Sequence, residues 1–303
     1  AAFTLAMKAR IASFLKKLEL LTLSARRAMA GQTRGEQRST RHGSSVEFAD
    51  YRQYTPGDDY RRIDWNAYAR FDNIFLKLFR EEEDLNLHVM VDASVSMNFG
   101  LPNKSAYARR VAGALAYIAL HNADRVSLYL LGRAENSTMP VLDVMRGRRG
   151  RGAIFEVFDF LQQGACEGAS DLNGAVQYLL AGHAQPGIVV IISDFLLHDG
   201  YEGAVKRLMY EKFQPMLVHV MAPDEMNPDL TGDLRLTDSE TGDHVDVSPT
   251  RRLIALYRKR LEAFRQMISG FAAKHGTDYV FACTDTPFED LVLRWMRAAN
   301  MVV

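Results

Sequence analysis

The 303-residue chain carries 37 basic and 37 acidic residues, so its formal net charge of zero gives no indication of a nucleic acid or an acidic membrane as partner. Hydrophobic residues make up 48% of the chain and charged residues 24%, as in soluble globular proteins. Two cysteines without a CxxC motif argue against a zinc site or a disulfide framework. No apolar run approaches the roughly 20 residues of a membrane-spanning helix. These features favour a cytoplasmic protein without a transmembrane segment.

The first 45 residues divide into two segments. Residues 1–30 are predicted to form an amphipathic helix, because apolar residues recur every three or four positions with lysines off that stripe. Packing on the rest of the protein is favoured for this helix, and peripheral contact with a membrane surface is the alternative. Residues 31–45 are polar, rich in arginine and without periodicity, so they are interpreted as a linker.

Residues 46–84 mix charged and aromatic side chains around a turn signal at Pro56-Gly57. Opposite charges at this density are expected to pair, which predicts a rigid, small N-terminal lobe rich in β-structure. The alternative is a docking surface for a partner, formed by Arg52, Asp58, Arg61 and Asp64.

Residues 85–303 alternate predicted strands and helices, ending in a helix over 288–299, which is the pattern of a doubly wound, mostly parallel α/β sheet. The two most apolar strands end at Asp92 and at Asp194, and such continuous apolar runs are typical of strands buried on both faces. The arginine-rich segment 146–152 is interpreted as an exposed turn, with an anion site as the weaker alternative.

Oxygen-bearing side chains gather where these strands end, the edge at which ligands of doubly wound sheets collect. Three loops supply two carboxylates and three hydroxyls: Asp92, Ser94, Ser96, Ser170 and Asp194. Such a set suits Mg²⁺ or another divalent cation such as Mn²⁺ or Ca²⁺. The alternative is that Asp92 and Ser94 only cap the next helix. Because neighbouring carboxylates repel each other, Asp92→Ala is expected to leave the fold largely intact.

The same five residues resemble the metal-ion-dependent adhesion site (MIDAS) of von Willebrand factor A domains, in which the loop position of Ser170 is usually a threonine. The pattern FxxxRxYxxGDxxRxIDW between Phe48 and Trp65, followed by Ala69-Arg70, resembles the signature of the bacterial family catalogued as domain of unknown function 58 (DUF58). In that family the signature stands just ahead of an A-domain core. The resemblance covers about residues 45–285.

The resemblance implies an α/β fold, with a von Willebrand factor A-like doubly wound, mostly parallel sheet over residues 85–303 and a small N-terminal β-rich lobe over residues 46–84. It implies a divalent cation that captures a carboxylate of a partner protein. Genes of this family commonly neighbour those of MoxR-type AAA+ ATPases, which implies an adaptor or chaperone partner for such an ATPase.

The catalytic alternative is a Mg²⁺-dependent phosphoryl hydrolase with Asp92 as the nucleophile. Haloacid-dehalogenase-like enzymes carry Asp-x-Asp at this place, and Ser94 stands where their second carboxylate is. A serine hydrolase is not supported, because the chain has no G-x-S-x-G motif. The sequence therefore favours a protein-interaction module over an enzyme, with a protein rather than a nucleic acid as partner.

Overall fold

The computed structural model describes residues 46–55, 63–71, 73–81, 85–134, 137–228, 232–237, 242–287 and 290–291. These residues fall into two compact units, one before and one after residue 85. The predicted N-terminal helix, the linker and, apart from residues 290–291, the predicted closing helix lie outside the described residues.

Within the described residues, the smaller unit has a two-stranded sheet and one short helix. Strand β1 (Val46–Gln53) pairs antiparallel with β2 (Phe75–Glu81), and helix α1 (Trp65–Phe71) lies between them in the sequence. Asp64 begins this helix, because its carboxylate accepts a hydrogen bond from the backbone N–H of Ala67.

The larger unit is built on a sheet that has six strands within the described residues, in the order β10–β7–β6–β3–β4–β5. All neighbouring pairs are parallel except β4–β5, which is antiparallel at the sheet edge. The predicted doubly wound, mostly parallel sheet is therefore confirmed. A separate hairpin pairs β8 (Leu234–Thr237) with β9 (His244–Val247). The sheet strands are β3 (Asn86–Asp92), β4 (Arg125–Leu131), β5 (Val141–Arg149), β6 (Ile188–Ser193), β7 (Gln214–Met221) and β10 (Asp278–Cys283).

Helices accompany both faces of this sheet, and alternate strand residues feed two separate cores. Val89 and Val91 of β3 pack in one core with residues of α2 and α3, whereas Met90 packs in the other with residues of α4, α5 and α7. This arrangement explains why the central strands are apolar without interruption. None of the described helices combines the length and the hydropathy that crossing a membrane requires. The helices are α2 (Lys104–His121), α3 (Ile154–Gln163), α4 (Leu172–Ala181), α5 (Glu202–Tyr210), α6 (Pro223–Met226) and α7 (Arg251–His275).

The arginine-rich segment differs from its prediction. Residues 146–149 do not form a turn but continue β5, because they pair with β4. Arg148 Nε lies 2.8 Å from Glu156 Oε2, and Arg149 Nε donates to the carbonyl oxygen of Ala123 at 2.9 Å. Because these two guanidinium groups already have protein partners, an anion site in this segment gains no support.

Candidate functional site

The loop after β3 does not serve as a helix cap. Helix α2 begins only at Lys104, and its N-cap is Asn103, whose side chain accepts a hydrogen bond from Ala106 N at 3.0 Å. Ser94 precedes the 3-10 turn of residues 95–97, but its side chain makes no capping bond to that turn. Instead, Asp92 Oδ1 accepts hydrogen bonds from the Ser94 backbone N–H at 3.0 Å and from the Ser94 hydroxyl at 2.7 Å. The capping interpretation of these two residues is therefore wrong.

Asp92 is the centre of a cluster of hydroxyl groups. Ser170 Oγ donates to Asp92 Oδ1 at 2.5 Å, and Ser193 Oγ donates to Asp92 Oδ2 at 2.6 Å. Ser96 joins the cluster through Ser94, with 2.9 Å between their hydroxyl oxygens. Asp92 and Ser94 are each only 1% exposed. Both oxygens of a buried carboxylate are thus satisfied by hydroxyl donors.

The surroundings of Asp92 disfavour its negative charge. Burial raises the pKa of Asp92 above the ordinary value for aspartate, and the nearby charge of Asp194 raises it further. The hydroxyls of Ser170, Ser193 and Ser94 oppose this rise in pKa. A cation bound at this position would favour the ionised carboxylate, because it would offset both unfavourable effects.

Backbone hydrogen bonds hold the loop of Ser170 against the loop after β3. The N–H of Val95 donates to the carbonyl of Gly168 at 3.0 Å, and the N–H of Glu167 donates to the carbonyl of Ala93 at 2.8 Å. These hydrogen bonds hold the two loops together and thereby keep the hydroxyl of Ser170 within reach of Asp92.

Gly168 is required where the loop of Ser170 passes the carbonyl group of Arg133. Its φ of +61° lies in the left-handed region, and a Cβ atom at this position would lie 2.1 Å from the carbonyl oxygen of Arg133. Directly after Ser170, Asp171 caps helix α4 by accepting a hydrogen bond from Gly174 N at 2.8 Å. Ser170 is thus held between a glycine that passes close to Arg133 and a capped helix start.

Asp194 has different partners from Asp92. Its Oδ1 accepts a hydrogen bond from Leu196 N at 3.1 Å, and its Oδ2 lies 2.7 Å from the ammonium nitrogen of Lys104. The same ammonium lies 2.6 Å from Glu225 Oε1. Burial alone would lower the pKa of Lys104, but Asp194 and Glu225 together raise it above the ordinary value for lysine. Lys104 is therefore a buried cation.

The five predicted site residues consequently divide into two groups. Asp92, Ser94, Ser96 and Ser170 are joined by hydrogen bonds. Asp194 lies near enough for its charge to act on Asp92, but its described side-chain partners are elsewhere.

Sequence reasoning missed Ser193, Lys104 and Glu225. Ser193 could have been identified from the register of the two parallel strands. Val91 pairs with Ile192, so the residues that follow them, Asp92 and Ser193, also lie side by side. Lys104 carries a weaker signal, since a cation in the first turn of a helix is unfavourable unless acidic groups surround it. No comparable signal marks Glu225.

The predicted docking surface lies largely outside the described residues. Asp58 and Arg61 lie outside the described residues, and of Arg52 only the backbone in β1 is described. Asp64 is 5% exposed and caps α1.

The donor set fits a hard divalent cation through its hydroxyl groups rather than through acidic side chains. Among the described residues, no group of three or more His, Cys, Asp or Glu side chains could hold a metal ion. At this site, however, the carboxylate of Asp92 and four serine hydroxyls come together, with a second carboxylate close by. Neutral oxygen ligands with few carboxylates are what Mg²⁺ accepts when it retains water or takes ligands from a partner.

Comparisons with known proteins identify the family. A family model described as "Protein of unknown function DUF58" matches residues 50–266. The uncharacterized protein Rv1480 of Mycobacterium tuberculosis is 25% identical over 235 residues, which cover 77% of this chain and 72% of that protein.

Two solved structures were also found to be similar. The hypothetical protein BatB of Bacteroides thetaiotaomicron is 14% identical, with a TM-score of 0.41, over 71% of this chain and 98% of that chain. A serine-substituted aerotolerance-related membrane protein of Bacteroides fragilis is 15% identical, with a TM-score of 0.44 and the same coverage. Since the family model spans most of the chain, including every candidate site residue, the protein belongs to the DUF58 family, and its larger unit has the doubly wound, mostly parallel sheet expected of a von Willebrand factor A-like domain.

Proposed function

We propose that the protein is a cytoplasmic, metal-dependent protein-interaction module, which binds a carboxylate of a partner protein through a divalent cation. The cation is Mg²⁺, or another such as Mn²⁺ or Ca²⁺. The observation that carries the proposal is the convergence of the Ser94 and Ser170 hydroxyls on the buried carboxylate of Asp92, with the hydroxyl of Ser96 bonded to that of Ser94. The hydroxyls are neutral, and Asp194 shares its charge with Lys104, so the groups that would face the cation leave part of its charge uncompensated. A partner carboxylate can supply the missing negative charge.

Exposed apolar side chains near this edge of the sheet support a protein as the partner. Phe99 and Leu101, in the loop after β3, are 50% and 84% exposed, and Leu196, in the loop after β6, is 56% exposed. Large exposed apolar residues beside a polar centre are typical of protein-binding surfaces.

We further propose a MoxR-type AAA+ ATPase, or its client, as the partner, for which the protein acts as an adaptor or chaperone. This part rests on the gene neighbourhood common in the DUF58 family. The chemistry of the site adds one requirement: the partner must present an accessible Asp or Glu side chain.

The hydrolase alternative has less support from the geometry of Asp92. A nucleophilic carboxylate needs an oxygen with a free path to the phosphorus atom. Both oxygens of Asp92 accept hydrogen bonds, and the residue is 1% exposed. Ser94 also stands where such a hydrolase carries its second carboxylate.

The test is capture of a purified MoxR-type ATPase by the immobilised full chain, with Mg²⁺ or with EDTA, beside an assay of p-nitrophenyl phosphate hydrolysis. We expect capture with Mg²⁺, its loss with EDTA and in Asp92→Asn, and no hydrolysis. Asp159→Asn, the same change at an exposed position of α3, is the matched control and should bind like the wild type. Capture that persists in EDTA, or hydrolysis that Asp92→Asn abolishes, would overturn the proposal.

A further inference from the structure

A buried lysine lies beside the candidate metal site, and the proposed function does not use it. Lys104 is 1% exposed, and its ammonium nitrogen lies within 2.7 Å of Asp194 and 2.6 Å of Glu225. It occupies the first position of α2, where the helix dipole disfavours a positive charge. The two carboxylates therefore stabilise the ammonium in a place where burial and the dipole both oppose it.

Glu225 is itself held in place, which keeps the ammonium beside Asp194. Its second oxygen, Oε2, accepts a hydrogen bond from Ala222 N at 2.8 Å, and its carbonyl oxygen accepts one from the hydroxyl of Tyr257 at 2.7 Å. Glu225 is thus tied to the end of β7 and to α7. If Lys104 and Glu225 moved together away from Asp194, the hydrogen bonds of Glu225 with Ala222 and Tyr257 would break.

We propose that Lys104 is an internal counter-cation that shares Asp194 with the bound metal ion and thereby sets the metal affinity of the site. When their carboxylates are ionised, Asp92, Asp194 and Glu225 contribute three negative charges and Lys104 one positive charge, a net charge of −2. Without the lysine the net charge is −3, and a divalent cation is attracted more strongly. The inference rests on the proposed function and deepens it, because a site with less negative charge of its own depends more on the partner's carboxylate.

Two substitutions of opposite sign separate this role from a merely structural one. Lys104→Met removes the positive charge and should tighten metal binding, whereas Glu225→Gln removes a negative charge and should weaken it. If the ion pairs only hold the loops in place, both substitutions should weaken binding. Asp224→Asn is the matched control: it makes the same charge change on the exposed neighbour of Glu225 and keeps an acceptor for Leu101 N.

The experiment is calorimetric titration of Mn²⁺ into the full chain at low ionic strength, where charge effects are least screened. We expect an affinity about tenfold higher for Lys104→Met, about tenfold lower for Glu225→Gln and unchanged for Asp224→Asn. If Lys104→Met does not fold, adding it to Glu225→Gln removes both partners of the ion pair together, and this double variant should bind more tightly than Glu225→Gln alone.

The outcomes distinguish this inference from the proposed function. Wild-type binding that Asp92→Asn abolishes, together with unchanged or uniformly weaker binding in the Lys104 and Glu225 variants, overturns only the role of Lys104. Absence of Mn²⁺ binding in both the wild type and Lys104→Met overturns both proposals. Binding by Lys104→Met alone supports the role of Lys104 and contradicts metal-dependent function in the wild type.

Discussion

Substitution of Asp92 can separate the charge of this residue from its hydrogen bonds. One carboxylate oxygen accepts hydrogen bonds from the backbone and hydroxyl of Ser94 and from Ser170, and the other accepts one from Ser193. Asp92→Ala leaves all of these donors without their acceptor. Asp92→Asn keeps a carbonyl oxygen for Ser94 and Ser170, and its amide can donate to the hydroxyl of Ser193.

Because these donors lose their acceptor, we expect Asp92→Ala to destabilise the fold rather than to leave it largely intact. A buried donor that loses its acceptor costs about 1–3 kcal/mol. Ser94 and Ser193 are each 1% exposed, whereas water can reach the partly exposed Ser170. With two buried hydroxyls affected, we expect the free energy of unfolding to fall by about 2–4 kcal/mol in the alanine variant, after partial relief of the repulsion with Asp194. The asparagine variant gains the same relief and leaves only the Ser193 hydroxyl without its acceptor, so it should be more stable than the alanine variant by about 1–3 kcal/mol.

The measurement is urea unfolding of the metal-free proteins, with EDTA present, followed by far-ultraviolet circular dichroism. Equal stability of the alanine and asparagine variants would show that the hydroxyl cluster contributes nothing and would refute this reasoning. In a second series with Mn²⁺, the wild type should gain stability as the ion concentration rises, and neither variant should. Stabilisation of Asp92→Asn by Mn²⁺ would contradict the assignment of Asp92 as a ligand.

Two further predictions concern residues outside the donor set. Gly168→Ala should weaken Mn²⁺ binding in calorimetry, because its Cβ would meet the carbonyl of Arg133 and displace the loop of Ser170, whereas Gly152→Ala has open space and should bind normally. Burial lowers the pKa of His219 from 6.5 to about 4, so its contribution to stability is complete above pH 6.5 and is lost as the pH falls towards 4. The loss is about 3 kcal/mol. Urea unfolding across this pH range should show a smaller loss in His219→Leu, and an identical pH dependence would contradict the assignment.

The fold of the larger unit could be predicted because its strands carry an unusually clear signal. Val89, Met90 and Val91 are all fully buried, since the strand lies between two cores. The prediction for residues 146–149 failed because glycine and arginine suit an exposed turn, while pairing with β4 depends on the neighbouring strand rather than on local preference.

The candidate site could be predicted only where its residues follow a motif or a strand end. Asp92, Ser94 and Ser96 lie within five residues, and Asp194 ends an apolar strand. Lys104 and Glu225 belong to different helices and meet only in the folded chain. A lysine or glutamate on a helix is ordinarily exposed. The sequence pattern therefore gives no reason to place Glu225 beside the site, and for Lys104 it gives only the weak signal of a cation in the first turn of a helix.

The two buried carboxylates of this edge are stabilised by different kinds of donor, and the difference bears on how a cation enters. The hydroxyls around Asp92 carry lone pairs, so the same oxygen atoms that donate in the metal-free protein can turn towards a cation. The ammonium of Lys104 has no lone pair and can only compete with a cation for Asp194. When a cation binds at Asp92, the serine oxygens therefore exchange their hydrogen bonds to Asp92 for bonds to the cation. At Asp194, by contrast, the cation is repelled by the ammonium of Lys104, which remains beside the carboxylate. For this reason we expect Asp92 and its serines to decide whether a cation binds, and Lys104 to decide how tightly.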